Sequence, residues 1–468
     1  MISFASLSRK SAVLILAVGL LAAGCAGSKQ ASRSAEQNLP RKFVNLQPNV
    51  LDRVISGSLY ESQGDYLRAL HEYSNALAFD SSQAELYVAI AEMHSELGEN
   101  DLAEKVLISG IDRVGPIPDL LLPLGRTQYH NYEFEAAQKT LEQFLSHDSS
   151  KAEVLAMLAA IYERSEKYEE AIGMYKRLEV LEPESLELLL SREGALYSRM
   201  DRYDDALAVY QRLGELRPDA HLVPFMIGGL YLDKGDTLKA YDAFKEATRL
   251  APDEPRYWDL RIRVAMILGD STAAIAATDS ALTFNPDEPS LLTLGSGIYL
   301  RYNLDDKAIQ ALEHAVALDS SDVSSLVNLG FALHEKKDWD KAEKVYDRAL
   351  ALEPDSPQVL NNFAYMLAVS GRRLPDALDY IDRALQQQPE NASYIDTKGW
   401  ILYRMGKLQE ALDTLQKAAA LDDNNPEILD HLGDVNAALG DRDVARKFWT
   451  SALEKGGDAK QLKEKLTP

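Results

Sequence analysis

The chain has 468 residues, of which 46% are hydrophobic, 8% are aromatic and 26% are charged, and its formal net charge is −23. This composition is typical of a globular protein with an acidic, soluble surface. The negative charge argues against nucleic acid as a partner, because nucleic-acid binding requires a basic surface.

Residues 1–25 have the layout of an export signal. Arg9 and Lys10 supply a positive start, and an apolar run follows them at residues 11–21. That run is too short to span a membrane as an ordinary helix. The segment then ends in small residues and Cys25, so we expect it to direct export.

Cys25 is the only cysteine of the chain, so no disulfide is available to the mature fold. The segment before it resembles the lipobox of bacterial lipoproteins, although Ala22 stands where that family prefers leucine. The resemblance implies that Cys25 is acylated and becomes the new N-terminus. Because Ala26 rather than aspartate follows it, the resemblance also implies an outer-membrane location facing the periplasm. The alternative is a cleaved secretory signal with an incidental cysteine.

Residues 26–49 are polar, contain two prolines and show no helical period. We predict a flexible tether between the anchor and the rest of the chain. A coil of this length spans on the order of 25–30 Å.

Residues 50–457 repeat one pattern twelve times. In residues 326–357 the pattern predicts two short amphipathic helices, separated by a polar turn at residues 335–338. The clearest marker is one alanine per repeat: Ala69, Ala103, Ala137, Ala171, Ala206, Ala240, Ala274, Ala308, Ala342, Ala377, Ala411 and Ala445. Consecutive markers are 34 residues apart, except for two steps of 35, and this period indicates a helix-turn-helix repeat.

Further positions of the repeat agree when each marker alanine is counted as position 20. Position 24 is aromatic in Tyr73, Tyr175, Tyr210, Phe244, Tyr346 and Trp449. Position 32 is proline in Pro183, Pro218, Pro252, Pro286, Pro354 and Pro389. Position 8 is small in many repeats, which lets two helices cross closely. This pattern resembles the tetratricopeptide repeat (TPR) family, and the resemblance implies an all-α fold, a right-handed superhelical solenoid of about twelve repeats.

Residues 458–468 are predicted to form a short capping helix, because the last repeat of a solenoid needs a polar outer face. Residues 358–453 also resemble TPR lipoproteins of Gram-negative envelopes, through the segments TKGWILYRMGK and DHLGDVNAALG. That second resemblance implies a compartment and a class of protein, but no particular partner.

No constellation of residues indicates catalysis. His71-Glu72 and His334-Glu335 begin like a zinc-protease motif, but neither pair has a second histidine four residues after the first. The sequence also lacks a nucleophile elbow and a phosphate-binding loop. We therefore predict that the protein is not an enzyme, with no catalytic residue, no metal site, no cofactor and no small-molecule substrate.

The resemblance to TPR proteins implies a concave groove lined by positions 2, 5, 9 and 12 of each first helix. Position 9 is aromatic in three consecutive repeats, at Phe331, Tyr365 and Trp400, once the extra residue in the turn at residues 371–375 is allowed for, and asparagines lie nearby. Asparagine can bond both the N–H and the C=O groups of a peptide. The predicted peptide-binding residues are Asn328, Phe331, Asn361, Asn362, Tyr365, Asp396, Trp400 and Tyr403. The alternative is that these rings pack against the helix of the next repeat.

The charge of the groove indicates the kind of ligand. The TPR clamp for peptide carboxylates uses basic and amide side chains, whereas this chain has Asp396, Asp430 and Asp434. A basic or neutral segment therefore fits better. We predict a lipid-anchored, non-enzymatic scaffold for protein–protein interactions in the bacterial cell envelope. The alternatives are an accessory subunit of an envelope machine (polysaccharide export, pilus or outer-membrane assembly) and a substrate-presenting module of a separate enzyme.

Overall fold

The computed structural model describes residues 47–467, and it contains helices and no β-strand within that range. Cys25, the export signal and nearly all of the tether lie outside the described residues. The chain divides into two compact units, residues 1–209 and 210–468, and the boundary falls inside one helix. None of the described helices is both long enough and apolar enough to cross a membrane.

Unit 1 contains four pairs of helices and the beginning of a fifth. They are α1 (Pro48–Ser62), α2 (Tyr66–Phe79), α3 (Ala84–Glu96), α4 (Asn100–Val114), α5 (Pro118–His130), α6 (Phe134–Leu145), α7 (Ala152–Arg164), α8 (Tyr168–Leu181) and α9 (Leu186–Arg199). Helix α10 (Tyr203–Leu216) contains the boundary between the units. A short 3-10 helix, Pro183–Ser185, holds the extra residue that produces the first 35-residue step.

Unit 2 contains seven further pairs and one final helix. They are α11 (Leu222–Asp233), α12 (Thr237–Leu250), α13 (Pro255–Ile267), α14 (Ser271–Phe284), α15 (Pro289–Arg301), α16 (Asp305–Leu318), α17 (Val323–Glu335), α18 (Trp339–Leu352), α19 (Pro357–Ser370), α20 (Leu374–Gln387), α21 (Ala392–Arg404), α22 (Leu408–Leu421), α23 (Pro426–Ala438), α24 (Arg442–Glu454) and α25 (Ala459–Leu466). The predicted all-α repeat fold is confirmed, with twelve pairs in residues 47–467.

The ends of the helices follow from local chemistry. Several first helices begin with proline, as α19 does at Pro357, because the N–H that proline lacks has no helical partner there. Several second helices begin after an aspartate whose carboxylate caps the free N–H groups, as Asp236 does for α12. Between the two helices the chain turns through a residue with positive φ, such as Gly406 at φ 78°. Glycine adopts this backbone conformation without strain.

The marker alanines lie in the core of both units. All twelve have 0% exposed surface, which confirms that they occupy positions where two helices meet. The small residue at position 8 is required because a larger side chain would clash with the position-24 ring. A Cβ added to Gly330 of α17 would lie 2.7 Å from Cζ of Tyr346 in α18, which is closer than real Cβ atoms approach. The position-24 ring therefore fills the space that glycine leaves.

Candidate functional site

The first helices of four consecutive repeats in unit 2 enclose one cavity of about 150 Å³. Its lining consists of Phe331 and His334 of α17, Tyr346 of α18, Asn361, Asn362 and Tyr365 of α19, Ser393, Asp396 and Thr397 of α21, and Asn425, Glu427 and Ile428 at the start of α23. A water molecule needs about 10–15 Å³ of such space, so the cavity is large enough for a side chain. First helices supply nearly the whole lining.

A tyrosine connects two repeats that are not neighbours. Tyr365 of α19 donates its phenolic hydrogen to Glu427 of α23 over 2.5 Å. Burial and the Glu427 carboxylate raise the pKa of Tyr365 well above its usual value, so the hydroxyl stays protonated. Because the two residues belong to the second and fourth of the four repeats, this hydrogen bond closes one side of the cavity.

Asn361 carries an unused acceptor in the cavity wall. Its Nδ2 donates to Oδ1 of the neighbouring Asn362 over 3.2 Å. Its Oδ1 is buried and has no hydrogen-bond partner in the described part of the chain. Buried polar atoms are nearly always paired, so an unpaired acceptor beside a cavity is a position that a ligand donor can fill.

His334, in the wall of the cavity, packs against two aromatic rings. It is only 6% exposed, and its ring centre lies 5.5 Å from that of Trp339 and 5.6 Å from that of Tyr365. Burial lowers the pKa of His334 to about 4, so its imidazole is neutral at pH 7. Phe331, by contrast, is 41% exposed and has one edge contact with His334. Phe331 is therefore the aromatic side chain of this group that is open to a ligand.

Trp400 lies in a stack of rings. Its indole is 4.2 Å from the ring of His431 at an angle of 15°, and 4.9 Å from the ring of Tyr403 at 25°. His431 in turn contacts both carboxylate oxygens of Asp396, at 2.9 and 3.0 Å from Nδ1. Burial alone lowers the pKa of His431, but Asp396 and other carboxylates, such as Glu427, outweigh it and raise the pKa overall. The indole thus packs on a buried histidine–carboxylate pair.

The structure brings together five of the eight residues predicted to bind a peptide. Phe331, Asn361, Asn362, Tyr365 and Asp396 line the cavity. Asn328, Trp400 and Tyr403 are not part of its lining, and Trp400 has the packing partner from the next repeat that the alternative interpretation requires. The assignment of these residues to peptide binding stays a prediction.

Two lining residues that the sequence prediction missed had a detectable signal. Counted as above, His334 is at position 12 of its repeat and Glu427 is at position 2, both among the four expected groove positions. Neither is an aromatic ring of the position-9 series or an asparagine, the two residue types on which the predicted peptide site mainly rests. His431, at position 6, had no such signal, because its role depends on contacts with Asp396 and Trp400.

The aspartates used to argue for a basic ligand are all paired within unit 2. Asp396 bonds to His431, and Lys465 of α25 contacts Asp430 at 2.7 Å and Asp434 at 2.8 Å. Each of these carboxylates therefore already has an internal partner, and Asp430 and Asp434 share the single cation of Lys465. An argument for a basic ligand has to rest on other carboxylates.

Asp396, Glu427 and His431 also form a group that can be considered as a metal site. Each offers one ligand atom, and these atoms lie within 4.8 Å of one another. However, Nδ1 of His431 is already bonded to the Asp396 carboxylate, so a metal ion could use this atom only by replacing that bond. We interpret Asp396 and His431 as a buried hydrogen-bonded pair, and the predicted absence of a metal stays a prediction.

These features define a class of protein, a helical-repeat protein with a cavity lined mainly by successive first helices. Comparison with family models identifies the repeat. Models described as tetratricopeptide repeat match residues 154–187, 192–255, 225–289 and 323–356, and one described as TPR repeat matches residues 399–440. The chain therefore contains tetratricopeptide repeats, which build scaffolds that bind other proteins.

Similar curated proteins share segments of this chain. The TPR repeat-containing protein PA4667 of Pseudomonas aeruginosa is 27% identical over 45% of this chain and 35% of its own length. The human protein O-mannosyl-transferase TMTC1 is 28% identical over 35% of this chain and 19% of its own length. The type IV pilus assembly protein PilF of P. aeruginosa is 24% identical over 36% of this chain and 66% of its own length. The chain thus spans about a third or less of the first two relatives.

Two solved structures of similar helical proteins superpose on this chain with TM-scores below 0.5. A tetratricopeptide repeat protein from Parabacteroides merdae has a TM-score of 0.48 and 17% identity, covering 53% of this chain and 97% of its own. Yeast Tom70 has a TM-score of 0.38 and 17% identity, covering 89% of this chain and 94% of its own. Neither similarity specifies a ligand.

Proposed function

We propose that the protein is a lipid-anchored, non-enzymatic scaffold of the bacterial cell envelope, which captures a peptide segment of a partner protein. The observation that supports this most is the cavity formed by α17, α19, α21 and α23, with the open ring of Phe331 and the unused acceptor of Asn361. Rigid helices present these groups in fixed positions, so little ordering entropy is lost on binding. The anchor at Cys25 and the outer-membrane location rest on the sequence.

Site-specific photocrosslinking tests the capture step. A photoreactive phenylalanine analogue replaces Phe331 in cells, and the matched control carries it at Leu352. Both residues belong to the same repeat, and they are 41% and 45% exposed. We expect a discrete crosslinked partner from position 331 that is absent from position 352. Equal crosslinking at both positions, or none at 331, would contradict capture at the cavity.

The anchor is tested separately by the change Cys25→Ser. Acylation is the one proposed source of membrane affinity, so the variant should leave the membrane fraction, whereas the wild type should remain there after a high-salt wash. If the serine variant still sediments with membranes, Cys25 is not the anchor. The crosslinking result does not depend on this outcome.

A second candidate function is that of an accessory subunit in an envelope machine. The similarity to PilF, which is described as a type IV pilus assembly protein, favours this candidate. It differs from a general scaffold in its partner, which would be a component of such a machine. Identification of the protein crosslinked at position 331 distinguishes the two candidates. A catalytic subunit as the crosslinked protein would instead favour the substrate-presenting module.

A further inference from the structure

Two carboxylates, Asp396 and Glu427, line the cavity, and no lysine or arginine does. Asp396 is bonded to His431, but no lysine or arginine in residues 47–467 forms an ion pair with Glu335 or Glu427. Partial burial, followed by the carboxylates of Asp305 and Glu427, raises the pKa of Glu335. Glu335 does not line the cavity, but its charge repels that of Glu427, and a cation bound beside Glu427 relieves this repulsion.

The hydrogen-bonding groups of the cavity also favour a cationic ligand. The hydroxyl of Tyr365 already donates to Glu427, and that of Thr397 already donates to the backbone oxygen of Ser393. Oδ1 of Asn361 still lacks a donor. A ligand group that carries several donors and no acceptor therefore satisfies the wall best. Arginine has five N–H donors and lysine has three.

The aromatic side chains distinguish between these two cations. Phe331 presents an open ring at the cavity, and the ring of Tyr365 forms another part of the wall. A planar guanidinium stacks on such a ring and pairs with a carboxylate through two parallel hydrogen bonds, whereas an ammonium is a compact point charge. An arginine side chain thus uses the ring, the carboxylates and the Asn361 acceptor together.

We propose that this cavity binds an arginine side chain of the partner's peptide segment. This inference rests on the proposed function, since it names the side chain that the peptide groove selects. The guanidinium lies against Phe331, with its N–H groups directed to Glu427 and Asn361. The net charge of −23 helps to attract a basic segment to the protein before it binds.

The test uses a random dodecamer peptide library displayed on phage, which is panned against the purified full chain. The strongest binder is then synthesised twice, once with arginine and once with citrulline, which has a similar shape but no charge. We expect arginine in the enriched peptides and about a tenfold weaker dissociation constant for the citrulline peptide, because charge-assisted hydrogen bonds are about twice as strong as neutral ones.

Variants of the protein test whether the preference for arginine over citrulline arises at the cavity. The double change Glu335→Gln and Glu427→Gln removes two charges with little change in shape. It should weaken the arginine peptide about tenfold and leave the citrulline peptide unaffected. The matched control, Glu313→Gln with Glu353→Gln, removes two exposed charges, one from the repeat before that of Glu335 and one from the same repeat, and should leave both peptides unaffected.

The outcomes separate this inference from the proposed function. If peptides bind and Phe331→Ala abolishes binding, but citrulline binds as well as arginine, the groove stands and the arginine assignment fails. If the double change and its control weaken binding equally, long-range attraction is the cause and the assignment also fails. If no peptide is enriched over the empty support, both the assignment and the proposed peptide capture are contradicted.

Discussion

The change Trp400→Ala decides whether this ring serves packing or ligand binding. The sequence alone favours a ligand-binding ring, whose loss should lower stability little. In the structure its indole is half-buried and stacks on both His431 and Tyr403. Removal of the indole therefore exposes the buried Asp396–His431 pair to water, and we expect a loss of stability rather than a loss of binding alone.

The expected magnitude follows from these contacts. Each stacked pair contributes about 0.5–1.5 kcal/mol beyond burial, so the two stacks contribute about 1–3 kcal/mol. Burial of about half of an indole, on the order of 100 Å², adds about 2.5 kcal/mol. The sum predicts that Trp400→Ala lowers the free energy of unfolding of the surrounding repeats by about 3.5–5.5 kcal/mol, close to the range of about 3–5 kcal/mol usual for a buried tryptophan.

Hydrogen exchange followed by mass spectrometry measures this change repeat by repeat. We expect faster exchange in α21 and α23, and unchanged exchange in unit 1. The comparison variant is Phe331→Ala, which loses one edge contact of an exposed ring and should destabilise its repeat by about 1 kcal/mol. If exchange in α21 and α23 is the same in wild type and Trp400→Ala, the stack contributes no stability and the packing argument is refuted.

Three further predictions concern unit 2. The pKa of His334 is about 4 in the folded chain and about 6.5 unfolded. The unfolded chain therefore binds more protons than the folded chain between these two pH values. The free energy of unfolding should fall by about 2 kcal/mol between pH 7 and pH 5, as measured by hydrogen exchange in α17. The same pH dependence in the variant His334→Gln would refute this prediction. Gly330→Ala places a Cβ 2.7 Å from the Tyr346 ring and should cost about 1–3 kcal/mol in urea unfolding, whereas Gly297→Ala, with open space around it, should not destabilise. Lys465→Ala leaves the partly buried Asp430 and Asp434 without their cation and should speed exchange in α25, a result that equal exchange rates would contradict.

The repeat fold was predictable because its contacts are local and periodic. The marker alanine, the position-24 ring and the small residue at position 8 meet within one repeat, so their spacing appears in the sequence. Tyr346 against Gly330 is such a contact, between residues on adjacent helices. The same regularity predicted that Phe331 and Tyr365 would lie on one surface, and both line the same cavity.

The contacts that shape the cavity join different repeats, and the spacing of residues within one repeat does not predict them. Tyr365 reaches Glu427 across 62 residues, and this contact depends on how far each repeat is rotated relative to the next. The stack of Trp400 on His431 depends on the same rotation, so position counting alone does not distinguish a packed ring from an open one. Lys465 pairs with Asp430 only because α25 folds back onto the last repeat.

The cavity lies near the C-terminal end of the repeats, so its shape depends on the last repeat remaining folded. In repeat proteins each unit is stabilised mainly by its neighbours, so the terminal units open most readily. Glu427 belongs to the twelfth repeat, and α25 covers that repeat through the buried Leu462 and the ion pairs of Lys465. Opening of the last repeat removes Glu427 from the cavity and frees the hydroxyl of Tyr365. The capping helix is therefore part of what holds the cavity in shape, although none of its residues lines it.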